Sequence, residues 1–227
     1  MVCGASETPY CWPPALLWAE HGGIFADVNL RGGGEFGEEW HRADMFEKKQ
    51  TVFDDFIGAG EFLIANKYTS TPKLPILGGS NGGLLVGAAM TERPDLFQAV
   101  VCSYPLLDML RFQKFLDGAY WTSEYGSSEN AAQFSYLYAY SPYHQVKPGT
   151  KYPAVMFVTG DGDTRVAPLH ARKMAALLQA TPGLDNPALL LYDSKSGHSG
   201  GRPVNKIIEE NADILSFLFW QLHVPTN

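Results

Sequence analysis

The chain has 227 residues, 45% hydrophobic and 18% charged, which suffices for one sizeable domain with its own core, so residues 1–227 are read as a single domain. Its formal charge of −7 excludes a nucleic-acid backbone or an anionic membrane surface as partner, since both require a basic face. Three cysteines, Cys3, Cys11 and Cys102, form an odd count without metal-ligand spacing, which argues against a disulfide framework or a zinc site and points to a reducing cytoplasm.

The opening "MVCGASETPYCWPPALLWAE" has no basic start, and prolines interrupt its apolar run, so it reads as neither a signal peptide nor a membrane span. Residues 23–30, "GIFADVNL", are the first strand candidate. A helix is expected over 50–66 and a strand over 73–79. After these come a helix over 83–92, a strand over 98–104, a strand over 153–160, a helix over 168–179, a strand over 187–193 and a helix over 203–222. Pro168 and Pro203 suit the first turns of their helices. The intervening 110–149, dense in Phe, Tyr and Trp, breaks the rhythm and reads as helical excursions over the sheet's edge. Strands alternating with helices predict an α/β fold, a mostly parallel sheet wrapped by helices, whose strand ends carry the chemistry.

Within "LPILGGSNGGLLVGAAM", residues 74–90, Ser80 sits in G-x-S-x-G between an apolar strand and a helix. That turn lifts a hydroxyl above the carboxyl end of a sheet, next to a helix N-terminus that favours a developing oxyanion. The N–H of Asn81 is the natural first donor. A helix-capping serine in a glycine-rich turn is the plainer reading. It loses weight because a base and an orienting acid follow in the order this turn demands. After the 153–160 strand come Asp161 and Asp163; after the 187–193 strand comes His198, flanked by Gly197 and Gly200. Order alone leaves Asp161 and Asp163 open, and Asp193 lies too near His198 along the chain to orient it well.

The motifs "NLRGGGEFGEEWH", "DDFIGAGEFLI", "GGSNGGLLVGA", "RPDLF", "WTSEYG", "YSPYHQVK", "GDGDTRVAPLH" and "GHSGGRP" together resemble the catalytic domain of prolyl oligopeptidases, an α/β-hydrolase fold, from Thr8 onward. The resemblance implies Ser80 as nucleophile, Asp163 rather than Asp161 as the acid, and His198 as base. It also implies Asn81 as an oxyanion donor, Arg165 on a substrate carbonyl, and Trp121, Tyr125 and Val166 around a proline pocket. Taken alone, Trp121 would more simply be core, and Arg165 an ion-pair partner of Asp161 or Asp163.

Two family features are missing. There is no room for the propeller that covers the family's active site. "MVCGASETP" stands where the family has Tyr-Gly-Gly-Phe, so the tyrosine that supplies the second oxyanion donor is absent, and Cys3 falls where a pocket phenylalanine would be. The family's first strands are also lacking, including one between the 23–30 strand and that of the nucleophile. Either those two strands pair directly or another chain covers the edge, and a homo-oligomer is expected. The implied reaction is cleavage of short peptides after proline, with hydrolysis of small esters as the alternative and a non-catalytic scaffold as the rival of another class. No metal or cofactor is implied.

Overall fold

A computed structural model describes residues 4–6, 8, 10–198 and 202–225. Helices α1 (Pro13–Glu20), α2 (Glu38–Arg42) and α3 (Gln50–Ala65) precede strand β1 (Pro75–Gly79). Helix α4 (Asn81–Glu92), strand β2 (Ala99–Ser103) and the short helices α5 (Thr122–Tyr125), α6 (Ala131–Tyr140) and α7 (Pro142–Gln145) follow. Strand β3 (Ala154–Gly160), helix α8 (Leu169–Gln179), strand β4 (Ala188–Asp193) and helix α9 (Val204–Leu222) complete the order. The four strands form one parallel sheet in the order β1-β2-β3-β4.

Both faces of this sheet are apolar, which is why its strands read as short continuous hydrophobic runs. Along β2 and β3 the side chains alternate. Val100, Cys102, Val155 and Phe157 pack with Val86 and Met90 of α4 and Met174 and Leu178 of α8. Ala99, Val101, Ala154, Met156 and Val158 pack on the opposite face with Ile214, Phe217 and Leu218 of α9. Helix α1 lies outside α9, with Trp18 stacked on Phe219 at 5.5 Å between ring centroids. Its two prolines, which interrupt the apolar run in sequence, open the helix instead, because the first turn has no hydrogen bond to lose.

The expected strand at residues 23–30 does not form. That segment has strand-like residues but joins no sheet, and β1 pairs only with β2 among the described residues. Alternating apolar side chains suit a strand, yet a ladder needs a neighbour at hydrogen-bonding distance. A cleft of about 850 Å³ lies instead along β1, lined by Ile24, Phe25, Phe56, Leu77, Leu215 and Leu218. Direct pairing of the two segments is therefore corrected: β1 is an edge, and Leu77 is 36% exposed on it.

The loop after β2 is held down by buried polar groups. Nδ1 of His170, on α8, accepts the backbone N–H groups of Asp108 at 3.1 Å and Leu107 at 3.4 Å. Burial pushes this imidazole down to about 4, so it serves as a neutral acceptor. Burial acts to raise Asp108, but its bond to Lys173 and the nearby charges of Lys173 and Arg111 outweigh that and hold it below the usual carboxylate range.

Candidate active site

At the end of β1 the backbone makes a turn that only this sequence pattern tolerates. A Cβ on Gly78 would stand 2.2 Å from the carbonyl oxygen of Gly82, so the chain can fold back over itself only with glycine there. Ser80 has φ 58° and ψ −118°, a positive-φ conformation that a residue with a side chain rarely adopts. Such strain costs on the order of 1–3 kcal/mol and is characteristic of functional turns. The N–H of Ser80 donates to Ser103 O at 2.8 Å, and its carbonyl accepts from Gly83 and Leu84, so strand and helix both hold the turn. Asn81 is the first residue of α4, where the helix dipole is positive.

The loops after β3 and β4 converge on the same point. A Cβ on Gly160 would lie 2.2 Å from Ser196 O, and the N–H of Gly162 donates to that oxygen at 3.0 Å, so the two loops are in close backbone contact. This brings His198 over the sheet. Its Nδ1 is 2.7 Å from Asp163 Oδ2 and its Nε2 is 3.2 Å from Ser80 Oγ. A carboxylate only accepts, so Nδ1 carries the proton and Nε2 is left to accept from the serine hydroxyl. Asp163 is 3% exposed, and its Oδ1 accepts the backbone N–H groups of Arg165 at 2.9 Å and Val166 at 2.8 Å. Asp161 faces away, bonded to Tyr192, and Asp193 accepts from Lys195 and Ser196 of its own loop. A hydroxyl, imidazole and carboxylate so chained can move a proton from oxygen to nitrogen while the carboxylate steadies the imidazolium.

Beside this chain lies a half-apolar wall. Tyr125 is buried, and its hydroxyl donates to Asn81 Oδ1 at 2.7 Å, tying the wall to the first residue of α4. Trp121, half-buried, packs against the buried cluster that contains Tyr125 and Val166. The side chain of Arg165 is exposed and forms no ion pair among the described residues, neither with Asp161 nor with Asp163. Cys3 lies outside the described residues.

Comparison with known proteins converges on one family. Residues 12–224 match the prolyl oligopeptidase family. The chain belongs to it. It is 47% identical over 209 residues to a prolyl endopeptidase of Elizabethkingia miricola, covering 92% of this chain and 30% of that protein. A prolyl endopeptidase of Dictyostelium discoideum is 47% identical over 208 residues, covering 90% of this chain and 27% of its own length. Among solved structures, one from a study of two prolyl endopeptidases superposes with a TM-score of 0.96 at 49% identity, covering 98% of this chain and 33% of that one. A post-proline cleaving enzyme from Rickettsia typhi gives 0.94 at 36% identity, covering 97% and 32%. This prolyl oligopeptidase family chain thus spans about 30% of the length of the curated relatives it matches, and its sheet and helices are those of an α/β-hydrolase fold in a family of serine peptidases.

Several groups around the site of this family member escape a reading of motifs. Lys49 and Asp44 form an ion pair, each 1% exposed, and the Lys49 ammonium sits 5.2 Å from the Tyr125 ring centre. Next to it, Glu124 takes His41 Nε2 at 3.0 Å. Two charges five residues apart look in sequence like ordinary surface charge, and nothing in their spacing marks them as buried.

Proposed function

We propose that the chain carries the catalytic site of a serine peptidase that cleaves short peptides after proline. Ser80 attacks the carbonyl carbon, His198 takes the hydroxyl proton and returns it to the leaving amine, and Asp163 holds the imidazole. Water then attacks the acyl-enzyme with the same base. The Asn81 N–H stabilises the oxyanion, Trp121, Tyr125 and Val166 receive the proline ring, and Arg165 bonds a substrate carbonyl. The observation that carries this reading is the unbroken chain from Ser80 Oγ through His198 to Asp163. Trp121, half-buried, favours a flat apolar ring over a charged side chain, because its exposed aromatic face offers stacking area.

A second reading, hydrolysis of small esters, uses the same chain from Ser80 through His198 to Asp163. An ester's leaving group needs less protonation than an amine. The two are separated by comparing kcat/KM for a blocked Gly-Pro amide, its Gly-Ala counterpart and a simple aryl ester. The peptidase reading expects the proline amide to be cleaved and preferred over alanine by about 10- to 200-fold, the range a few apolar contacts support. Turnover of the ester with neither amide cleaved favours the esterase. A chain that cleaves none of the three is the non-catalytic scaffold.

The same reading has a second copy of the chain covering β1. Among the described residues the outer edge of β1 is unpaired and flanked by apolar residues of α3 and α9, and such an edge is an association surface. Sedimentation at micromolar concentration is expected to give a multiple of the chain mass; the mass of a single chain overturns this. Residence in the cytoplasm belongs to the proposal, on the free thiols of Cys11 and Cys102. No helix among the described residues is long and apolar enough to cross a membrane.

A further inference from the structure

Tyr104 follows β2 directly and has φ 48°, a second strained residue with a side chain at the carboxyl end of the sheet. Its N–H donates to Val158 O at 2.7 Å, which anchors it between β2 and β3. The neighbouring Ser103 carbonyl takes the N–H of Ser80. A residue held in that region persists where the surroundings over-determine it, and the surroundings here lead to His198. The Tyr104 ring meets the His198 ring edge-on, 5.6 Å between centroids at 66°.

The tyrosine hydroxyl extends the contact. It donates to Glu210 Oε2 at 2.7 Å and accepts from Arg202 at 2.8 Å. Arg202 in turn grips both oxygens of Glu210, at 2.5 and 2.9 Å. Its side chain is only 11% exposed and that of Glu210 16%, so this forked pair is shielded from water, where bidentate geometry is strong and specific. Arg202 comes four residues after His198, and Glu210 lies on α9. Arg202 and Glu210 thereby tie the Tyr104 hydroxyl to the helix under the sheet.

Among the described residues, the His198 ring also makes two in-plane bonds, to Asp163 and Ser80. With Cγ tethered to the backbone these bonds set the ring plane, and the Tyr104 ring packed against it resists displacement of that plane from the line to Ser80. We propose that Tyr104, together with Arg202 and Glu210, is a positioning unit that holds the His198 imidazole in line with Ser80. This rests on the proposed triad. The unit acts on the reaction through the Tyr104 ring against the imidazole.

The test uses Tyr104→Phe, Tyr104→Leu, Arg202→Met and Arg202→Lys, with Ser80→Ala as reference and whichever substrate the wild type turns over. Tyr104→Leu is expected to lower kcat by about 10²-fold, the cost of a displacement near 1 Å at a reacting group, with KM within twofold. Tyr104→Phe keeps the ring and should fall between. Arg202→Lys should retain more kcat than Arg202→Met. In proton NMR, the low-field resonance of the His198 Nδ1–H should broaden or vanish in Tyr104→Leu while remaining in Tyr104→Phe. Should Tyr104→Leu fail to fold, the Arg202 pair and Tyr104→Phe carry the same comparison. Folded variants with wild-type kcat and an unchanged resonance overturn the proposal while Ser80→Ala remains inactive. Full activity in Ser80→Ala instead defeats the triad itself.

Discussion

Ser80→Ala is expected to lower kcat by about 10⁶-fold, the loss seen when the nucleophile of an acyl-transfer triad is removed. A residual rate above water is expected from the Asn81 N–H and from substrate binding alone. The protein should remain folded with nearly unchanged stability, because alanine meets the same positive φ as serine and the side chain is only half-buried. KM should stay near the wild-type value, since the hydroxyl contributes to bond making rather than to recognition. Steady-state kinetics on purified variant, with unfolding by denaturant as the control, measures both. A loss below about tenfold would mean that another group attacks the substrate.

Lys49→Met is expected to destabilise the fold by about 3–5 kcal/mol at pH 8, the cost of leaving one partner of a buried ion pair alone. The pair is 1% exposed on both sides. Burial already pushes Asp44 up to about 7 despite the attraction of Lys49. A carboxyl raised in the folded state is favoured in its protonated form, so its contribution is complete below about pH 4, the ordinary value, and is lost as pH rises through the folded value. Removing Lys49 raises Asp44 further. The penalty should therefore be small near pH 5 and largest at pH 8, as read from denaturant unfolding at the two pH values. Replacing both residues, Lys49→Met with Asp44→Leu, should recover most of the loss, because no buried charge remains. Activity should fall with Lys49→Met as well, since the ammonium lies under the Tyr125 ring that bonds Asn81. A penalty under about 1 kcal/mol at pH 8 would show that water reaches the pair.

What could be read from sequence follows from how local each feature is. The serine turn is written within a few residues: an apolar strand, glycines that permit close backbone approach, and a helix. The four paired strands were equally legible, because a sheet buried on both faces demands short apolar runs. Residues 23–30 have several apolar residues and form no strand, since pairing is a property of the neighbour as much as of the segment. Asp161 and Asp163 differ by two positions and only the resemblance to the family separated them; the distance to His198 depends on how the loop after β3 meets Ser196. Tyr104 left no mark at all. Its strained φ and its contacts with a histidine, an arginine and a helix far along the chain arise only in three dimensions.

The measurement that bears most directly on the assignment is covalent labelling with a serine-reactive phosphonate, followed by mass identification of the modified peptide. One label per chain on Ser80 is expected, absent from Ser80→Ala and strongly slowed in His198→Ala, because only a hydroxyl whose proton can pass to the imidazole attacks phosphorus at neutral pH. Folded protein that takes no label, or that takes it equally after Ser80→Ala, contradicts the account.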